Sequence, residues 1–301
     1  MTRSTSVAFL LLSPVCFSLT GMFIKLIPWS PWAIAGWRSL FSGLFIMIVF
    51  KMLFPKEFRL DWSRDNLLIA VFYSSFSTLF AISTKFTTSA NAILLQYTAP
   101  IWVAVLGPWL LGEKTDRRDW LFIGITIAGM SLFLLNDLKV EEGRNDLLGL
   151  AAGAAAGFCW AMCVMFMRKK GSQEAPLSSM VIANFITVTY CLGAMFSTDF
   201  SQTGAFTANL GWCAVLGIGP LGLGYILYVL AISKVTALEA ALIPAIEPLL
   251  NPIWTYLAVG EVPGFWTFIG GSVVLAVVLA RSWLSVRRPM EGPEPCARRG
   301  P

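Results

Sequence analysis

The chain repeats part of itself, since Gly112-Glu113 and Trp120-Leu121-Phe122-Ile123-Gly124 return later as Gly260-Glu261 and Trp266-Thr267-Phe268-Ile269-Gly270. A proline lies thirteen residues before the glutamate in both copies, at Pro100 and at Pro248. The offset between the copies is 146 to 148 residues, which is about half of the 301-residue chain. The repeat therefore divides the sequence into two similar halves.

The composition is that of a membrane protein. Hydrophobic residues make up 56% of the chain and charged residues only 13%, whereas a soluble domain carries about 25% charged residues. Soluble enzymes and nucleic-acid-binding proteins are excluded on this ground, and the net charge of +5 does not change that, because the basic residues lie in short loops. The chain has no histidine, which excludes His-containing catalytic triads, histidine-ligated zinc centres and imidazole proton relays. We expect no enzyme activity, no cofactor and no metal site.

Apolar runs between charges and turn residues predict ten membrane-spanning helices, since a hydrocarbon core of roughly 30 Å needs about 20 apolar residues. The first run is interpreted as an uncleaved span and not as a secretion signal, because no small-residue cleavage motif follows it. The ten predicted spans are 6–27, 32–54, 66–84, 90–111, 119–136, 147–168, 177–197, 209–231, 238–258 and 264–284.

The distribution of basic residues predicts the orientation of these spans. With a cytoplasmic amino terminus, 17 of the 22 Lys and Arg residues fall on the inside and four on the outside, with Arg38 left within a span. Such a bias is typical of cytoplasmic loops. We expect a multi-pass protein of the cytoplasmic (inner) membrane with both termini in the cytoplasm.

Each half of the chain contains five predicted spans, so the second half must enter the membrane from the opposite side. The loop 112–118 carries three basic residues, while its counterpart 260–264 carries none. The predicted fold is therefore all-α: ten transmembrane helices in two inverted five-helix repeats, residues 1–138 and 139–284, with a disordered cytoplasmic tail at 285–301. Inverted repeats are typical of transporters, whose substrate site lies near the midplane where the repeats meet.

The five-plus-five arrangement and the paired Pro…Gly-Glu segments resemble the EamA-type branch of the drug/metabolite transporter superfamily. The resemblance covers the chain up to about Trp283. It implies export of small metabolites from the cytoplasm through a central cavity by alternating access. The 12 Trp and 22 Phe residues also make the chain similar to the aromatic amino acid exporters of that family.

Two charged residues lie deep within predicted spans, where an ionisable side chain is a functional candidate. Arg38 lies about six residues from the outer end of its span, and either anchors neighbouring carbonyls or carboxylates or contacts a substrate carboxylate. Glu247 lies near the midplane and binds a substrate ammonium, carries a proton, or pairs with a buried cation such as Arg38. The repeat aligns Asn184 with Arg38, and Ala99 with Glu247, so neither charge is shared by the two halves.

Proline and glycine predict bends in the fourth, eighth and ninth spans. Each proline removes an N–H and frees the carbonyl four residues earlier, which in lipid must be covered by protein or water. The alternative is a kink that serves packing only. The predicted hinge residues are Pro100, Pro244, Pro248, Gly219 and Pro220.

Polar and aromatic residues deep in the spans complete the predicted substrate site. Tyrosine hydroxyls and indole N–H groups need partners when buried, which favours a cavity wall for some of them. The predicted substrate-binding set is Glu247, Tyr97, Gln96, Trp37, Arg38, Trp102, Trp160, Asn184, Tyr73, Tyr225 and Asn251.

The sequence favours a secondary transporter that exports amino acids, aromatic or apolar ones above all, or related small metabolites. We expect it to work as a monomer in the lipid bilayer on a small-molecule substrate, without nucleic-acid partners. A nucleotide-sugar carrier of the same superfamily is a competing interpretation, although the fourth and ninth spans lack the Lys or Arg that phosphates require. A channel-like facilitator and an intramembrane enzyme are the remaining alternatives.

Overall fold

The computed structural model describes residues 3–56, 58–112, 117–132, 146–170, 177–197, 206–232 and 246–286, and the secondary structure in these ranges is entirely helical. A π-helical segment, Gly217–Leu223, joins the α-helices Phe206–Leu216 and Gly224–Ile232. The α-helices are α1 Arg3–Leu26, α2 Pro31–Leu53, α3 Arg64–Phe86, α4 Ser89–Gln96, α5 Ala99–Leu110, α6 Arg117–Ser131, α7 Asp146–Lys170, α8 Leu177–Ser197, α9 Phe206–Leu216, α10 Gly224–Ile232, α11 Glu247–Val259 and α12 Phe265–Val286.

Six helical runs in the described part of the chain are long and apolar enough to cross a bilayer. They are α1, α2, α3, α7, α8 and the continuous run from α9 through the π segment to α10, and each coincides with a predicted span. The expectation of an all-helical membrane protein is thus confirmed. Ten spans in two inverted repeats remain a prediction, because parts of the fifth and ninth spans and the tail after Val286 lie outside the described residues.

The predicted fourth span, 90–111, is not one continuous helix. The structure divides it into α4 and α5, with Tyr97 and Thr98 between them. Pro100 lies in the first turn of α5, a position that suits proline because an N–H there has no acceptor within α5 itself. Its effect is to start a new helix and not to kink an existing one.

The repeated Pro…Gly-Glu motif marks the two ends of a helix. Pro100 and Pro248 lie in the first turns of α5 and α11. Gly112 follows the end of α5 with φ +70°, and Gly260 caps α11 with φ +71°. Only glycine adopts this left-handed conformation without steric cost, so it is the usual residue after a helix end. Both halves therefore build the same short helix from the same two signals.

Helix packing joins the two halves of the chain along its whole length. α3 packs against α7, α2 against α8, and α6 against α12, while α1 packs against α10 and α11. Side-chain hydrogen bonds support the α3–α8 contact, since the Tyr190 hydroxyl donates to the Ser74 carbonyl at 2.9 Å and also bonds to Thr78. Each of the three clusters of buried residues in the described part of the chain combines side chains from both halves.

Small residues on α7 allow the backbones to approach closely. A Cβ atom at Gly149 would lie 2.8 Å from the Thr87 nitrogen and 2.9 Å from the Phe86 carbonyl carbon. By contrast, a Cβ atom at Gly193 on α8 would meet nothing within 4 Å. Close backbone approach at glycine is a common basis of helix association in membranes.

We predict that Gly149→Ala destabilises the protein by about 1–3 kcal/mol, as overpacking usually does, because backbone atoms cannot move aside as a flexible side chain can. Gly193→Ala raises helix propensity equally without the clash, and it should leave stability equal or up to about 1 kcal/mol higher. Thermal unfolding of the purified variants in detergent measures both effects. Equal unfolding midpoints for the two variants would contradict this account of α7 packing.

Candidate functional site

A cavity of about 400 Å³ lies among the helices, within the range of roughly 300–1,000 Å³ typical of small-molecule sites. Residues of α1, α2, α3, α4, α5, α7, α10, α11 and the π segment line it. Both halves of the chain contribute, so the cavity exists only when they are packed together.

Aromatic side chains form a continuous part of the cavity wall. The Tyr73 ring centroid lies 6.4 Å from Trp160 and 6.2 Å from Tyr225, and Phe76 lies 5.1 Å from Trp160. Phe17, Phe80, Tyr97 and Tyr228 extend this surface. Such a wall provides apolar contact area together with several hydroxyl groups.

The break between α4 and α5 lies at the cavity. The N–H groups of Tyr97 and Thr98 donate to carbonyls three residues earlier, Leu94 and Leu95, both at 3.1 Å. Because Pro100 has no N–H, the Gln96 carbonyl lacks its usual helical partner. Gln96, Tyr97 and Ala99 all line the cavity, so the irregular backbone borders the space where a ligand or water can bind it.

Glu247 occupies the position in α11 that Ala99 occupies in α5. Each is the first residue of its helix, each precedes a proline, and both line the cavity. Glu247 is half-buried, and its negative charge is favoured by the helix dipole at this end. Pro248 is buried in the first turn of α11, whereas Pro244 lies outside the described residues.

Among the described residues that line the cavity, Arg38 is the one basic side chain, and it is only 1% exposed. Its Nη2 atom donates to the Ser77 carbonyl and, at 3.0 Å, to the Ser77 hydroxyl. The expectation that it caps a neighbouring carbonyl is therefore met. An ion pair with Glu247, which the sequence left open, is not formed between these two described residues.

The cavity brings together seven of the eleven predicted substrate-binding residues: Glu247, Tyr97, Gln96, Arg38, Trp160, Tyr73 and Tyr225. The other four do not line it. Trp37 packs on Phe41, Phe196 and Phe206, and Trp102 packs on Phe158 at 5.2 Å. The Asn184 amide donates to the Met180 carbonyl on its own helix, and Asn251 accepts from the Ser89 hydroxyl. Polarity deep in a span was thus a poor guide to these four positions.

Other lining residues were not predicted; among them are Ser13, Phe17 and Thr20 on α1 and Phe76 and Ser77 on α3. The α1 residues have the spacing of one helix face. They carry no charge, however, and a helix face of serine, phenylalanine and threonine does not differ clearly from the rest of an apolar span. Periodicity along α1 was the only signal that could have found the three α1 residues.

The glycine-rich stretch of the eighth predicted span is the π-helical segment. The Gly224 N–H donates to the Gly219 carbonyl five residues earlier, and Pro220 cannot donate to the Leu216 carbonyl. This confirms the expected irregularity of the helix; its role as a hinge at Gly219 and Pro220 stays a prediction. Leu221 of this segment lines the cavity, and π segments are frequent at functional sites.

A charged cluster joins three elements away from the cavity. Lys25 Nζ lies 2.6 Å from Glu261 Oε2 and donates to the Thr87 carbonyl at 2.7 Å. The Ser89 N–H, at the start of α4, donates to Glu261 Oε1 at 2.6 Å. Glu261 thus caps α4.

Comparison with known proteins gives a consistent result. The EamA-like transporter family matches residues 4–135 and again residues 147–282. A threonine/homoserine exporter, RhtA, of Salmonella typhimurium strain SL1344 is 24% identical over 263 residues, covering 82% of this chain and 80% of the exporter. An uncharacterized transporter of Archaeoglobus fulgidus is 24% identical over 242 residues, covering 79% and 85%. A solved structure titled only as a crystal structure of a protein has a TM-score of 0.63 at 15% identity, covering 96% of this chain and all of that one.

We predict that cysteine reactivity separates lining from non-lining positions of equal burial. Ala99 is 6% exposed and Asn184 is 4% exposed, yet only Ala99 lines the cavity. In a variant without the native cysteines, Ala99→Cys should react much faster with a small membrane-permeant thiol reagent, because thiol reactivity follows access. Equal rates, measured by mass spectrometry over time, would mean that the cavity is closed to small molecules.

Proposed function

The chain belongs to the EamA-like transporter family and is therefore a membrane-embedded transporter, and from that premise we propose that it exports amino acids with aromatic or apolar side chains, or related small metabolites, from the cytoplasm. The observation that carries the proposal is the cavity, in which an aromatic wall meets one acidic and one basic side chain. Relatives named as threonine/homoserine exporters support an amino acid as the substrate class. The aromatic wall supports a larger side chain than that of threonine.

The proposed architecture is ten spans in two inverted five-helix repeats. The family matches the chain twice, once in each half. The helix contacts support a twofold axis that exchanges the two halves. Under this exchange, the α3–α7 contact becomes the contact of α10 with α1. Likewise, the α1–α11 contact becomes the contacts of α7 with α4 and α5. The α2–α8 and α6–α12 contacts correspond to themselves. Two similar units related by a twofold axis would produce this pattern.

Alternating access in this arrangement depends on the irregular helices. The break before α5, the start of α11 and the π segment all border the cavity, so small backbone changes there alter its two ends. With both termini in the cytoplasm, the Lys25–Glu261 ion pair closes the outer end by joining α1, α4 and the loop after α11. Movement of α4 and α11 away from α1 would open that end.

Glu247 is proposed to bind the substrate ammonium. Its carboxylate is half-buried at the cavity and forms no ion pair with another described residue, so its charge is free for a ligand. Tyr97, Gln96 and Trp160 lie on the same cavity wall and would contact the rest of the substrate. The described lining residues belong to one chain, and we propose that a monomer suffices for transport.

We predict opposite locations for two equivalent loops. A cysteine at Lys114 should be labelled by an impermeant thiol reagent only after the cell is opened, and a cysteine at Gly260 should be labelled in intact cells. The reason is that inverted repeats place corresponding loops on opposite sides of the membrane. Labelling of both positions on the same side would overturn the inverted arrangement.

We predict that Glu247→Gln weakens binding of amino acids about tenfold or more, the usual effect of losing a charge-assisted hydrogen bond. Purified protein in liposomes loaded with radiolabelled amino acids, with and without a pH gradient, measures transport and apparent affinity. Asp65→Asn on α3 makes the same chemical change away from the cavity lining and should behave as wild type.

Two results would contradict this role of Glu247. Unchanged affinity together with a lost dependence on the pH gradient would assign Glu247 to proton transfer. Unchanged affinity and unchanged pH dependence would assign it to neither task. Failure of the wild-type protein to move any amino acid would overturn the proposed function itself.

A further inference from the structure

We propose that Arg38 binds the carboxylate of the substrate, that Ser77 positions its guanidinium, and that transport therefore requires a free carboxylate. The inference rests on the proposed export of amino acids and narrows it to α-amino acid zwitterions. It assigns to Ser77, which the sequence did not single out, a role in specificity.

The guanidinium of Arg38 is held on one side only. Nη2 donates to the carbonyl and hydroxyl of Ser77, whereas Nε and Nη1 have no hydrogen-bond partner among the described residues. These two nitrogens carry three N–H groups. A buried charge with unmatched donors is strongly unfavourable unless an acceptor completes it.

The described part of the protein supplies no anion for this charge. The described ionisable side chains close enough to interact electrostatically with Arg38 are Tyr73, Tyr190, Cys191 and Cys213. All four are neutral in their ordinary state at pH 7. Tyr190 already bonds to Ser74 and Thr78 on α3. Glu247 lines the same cavity but forms no ion pair with Arg38. A carboxylate entering the cavity would supply both the charge and the acceptors.

The second half of the chain shows that this charge is not part of the common scaffold. Asn184 occupies the equivalent position on α8, where its amide donates to the Met180 carbonyl at 2.8 Å and it does not line the cavity. A residue that both halves needed for packing would be similar in both. Arg38 is instead present in one half only, which suits a ligand with two different charged ends, such as an amino acid.

The surroundings of Arg38 fit one class of ligand. Ser77 follows Tyr73 and Phe76 on α3, so the carboxylate site adjoins the aromatic wall. Glu247 supplies a negative charge elsewhere on the cavity surface. A zwitterion with an aromatic side chain meets all three features, whereas an amine or an ester leaves Arg38 without its anion.

The test compares phenylalanine with phenylalanine methyl ester and phenethylamine, which lack a free carboxylate. Competition against radiolabelled phenylalanine on purified protein in nanodiscs gives the affinity ratios. The wild-type protein should prefer phenylalanine by about tenfold or more, the size expected for one charge-assisted contact. Arg38→Gln should bring the ratios close to one while thermal stability stays equal or rises, since it removes an unmatched buried charge.

Ser77→Ala tests the positioning role. It removes the hydroxyl acceptor and keeps the carbonyl, so the preference for the free acid should fall severalfold while the affinity for phenethylamine stays constant. Ser74→Ala is the matched control, because the Ser74 hydroxyl bonds within its own helix to the Val71 carbonyl and does not line the cavity. A purely structural serine would weaken all three ligands equally, and that result would overturn the positioning role.

The outcomes separate this inference from the function on which it rests. Equal wild-type affinity for phenylalanine and its ester would overturn the carboxylate requirement and leave amino-acid transport standing. Wild-type protein that binds none of the three would overturn the proposed substrate class. If Arg38→Gln does not fold, Arg38→Lys and Ser77→Ala decide, and unchanged ratios in both would overturn the inference.

Discussion

Hydrocarbon cannot form hydrogen bonds, and this constraint governs where the protein departs from regular helix. Every backbone N–H and C=O in a bilayer must find a partner within the protein or in enclosed water. The break between α4 and α5, the beginning of α11 and the π segment between α9 and α10 all adjoin the cavity. In the described part of the chain, these three irregular stretches thus lie where a ligand or enclosed water can satisfy the backbone, and the same region contains the candidate site.

Hydrocarbon also offers no hydrophobic driving force between apolar helices, so their association depends on close packing. Glycines on α7 therefore bring it against the other half of the chain. A Cβ atom at Gly157 would lie 2.8 Å from the Leu95 carbonyl oxygen, and one at Gly153 would lie 2.8 Å from the Ser83 hydroxyl. α7 therefore packs against the interrupted α4–α5 segment, and its Trp160 side chain lines the cavity. The shape of the cavity and the packing of the helices are set together.

The charged side chains discussed above fall into two groups, paired and unpaired. Lys25 and Glu261 neutralise one another and fasten α4, whereas Arg38 and Glu247 face the cavity without pairing. The partly exposed Lys25–Glu261 pair holds together the elements it joins, while separated charges retain their attraction for a ligand. This difference distinguishes the two charges proposed to bind substrate from those proposed to close the outer end.

The sequence by itself determined the helical membrane class and six of the spans, and its repeated Pro…Gly-Glu motif identified two equivalent segments, although the division of the fourth span into α4 and α5 came only from the structure. These depend on local signals, namely apolar length, missing N–H groups and left-handed glycines. Only the tertiary structure decided that Trp160 lines the cavity whereas Trp37 and Trp102 do not. Lipid, packed interior and aromatic cavity wall are all apolar, so hydrophobicity along a span does not reveal which face it turns to each. That is fixed by contacts between residues far apart in the sequence, such as Tyr73 of α3 with Trp160 of α7.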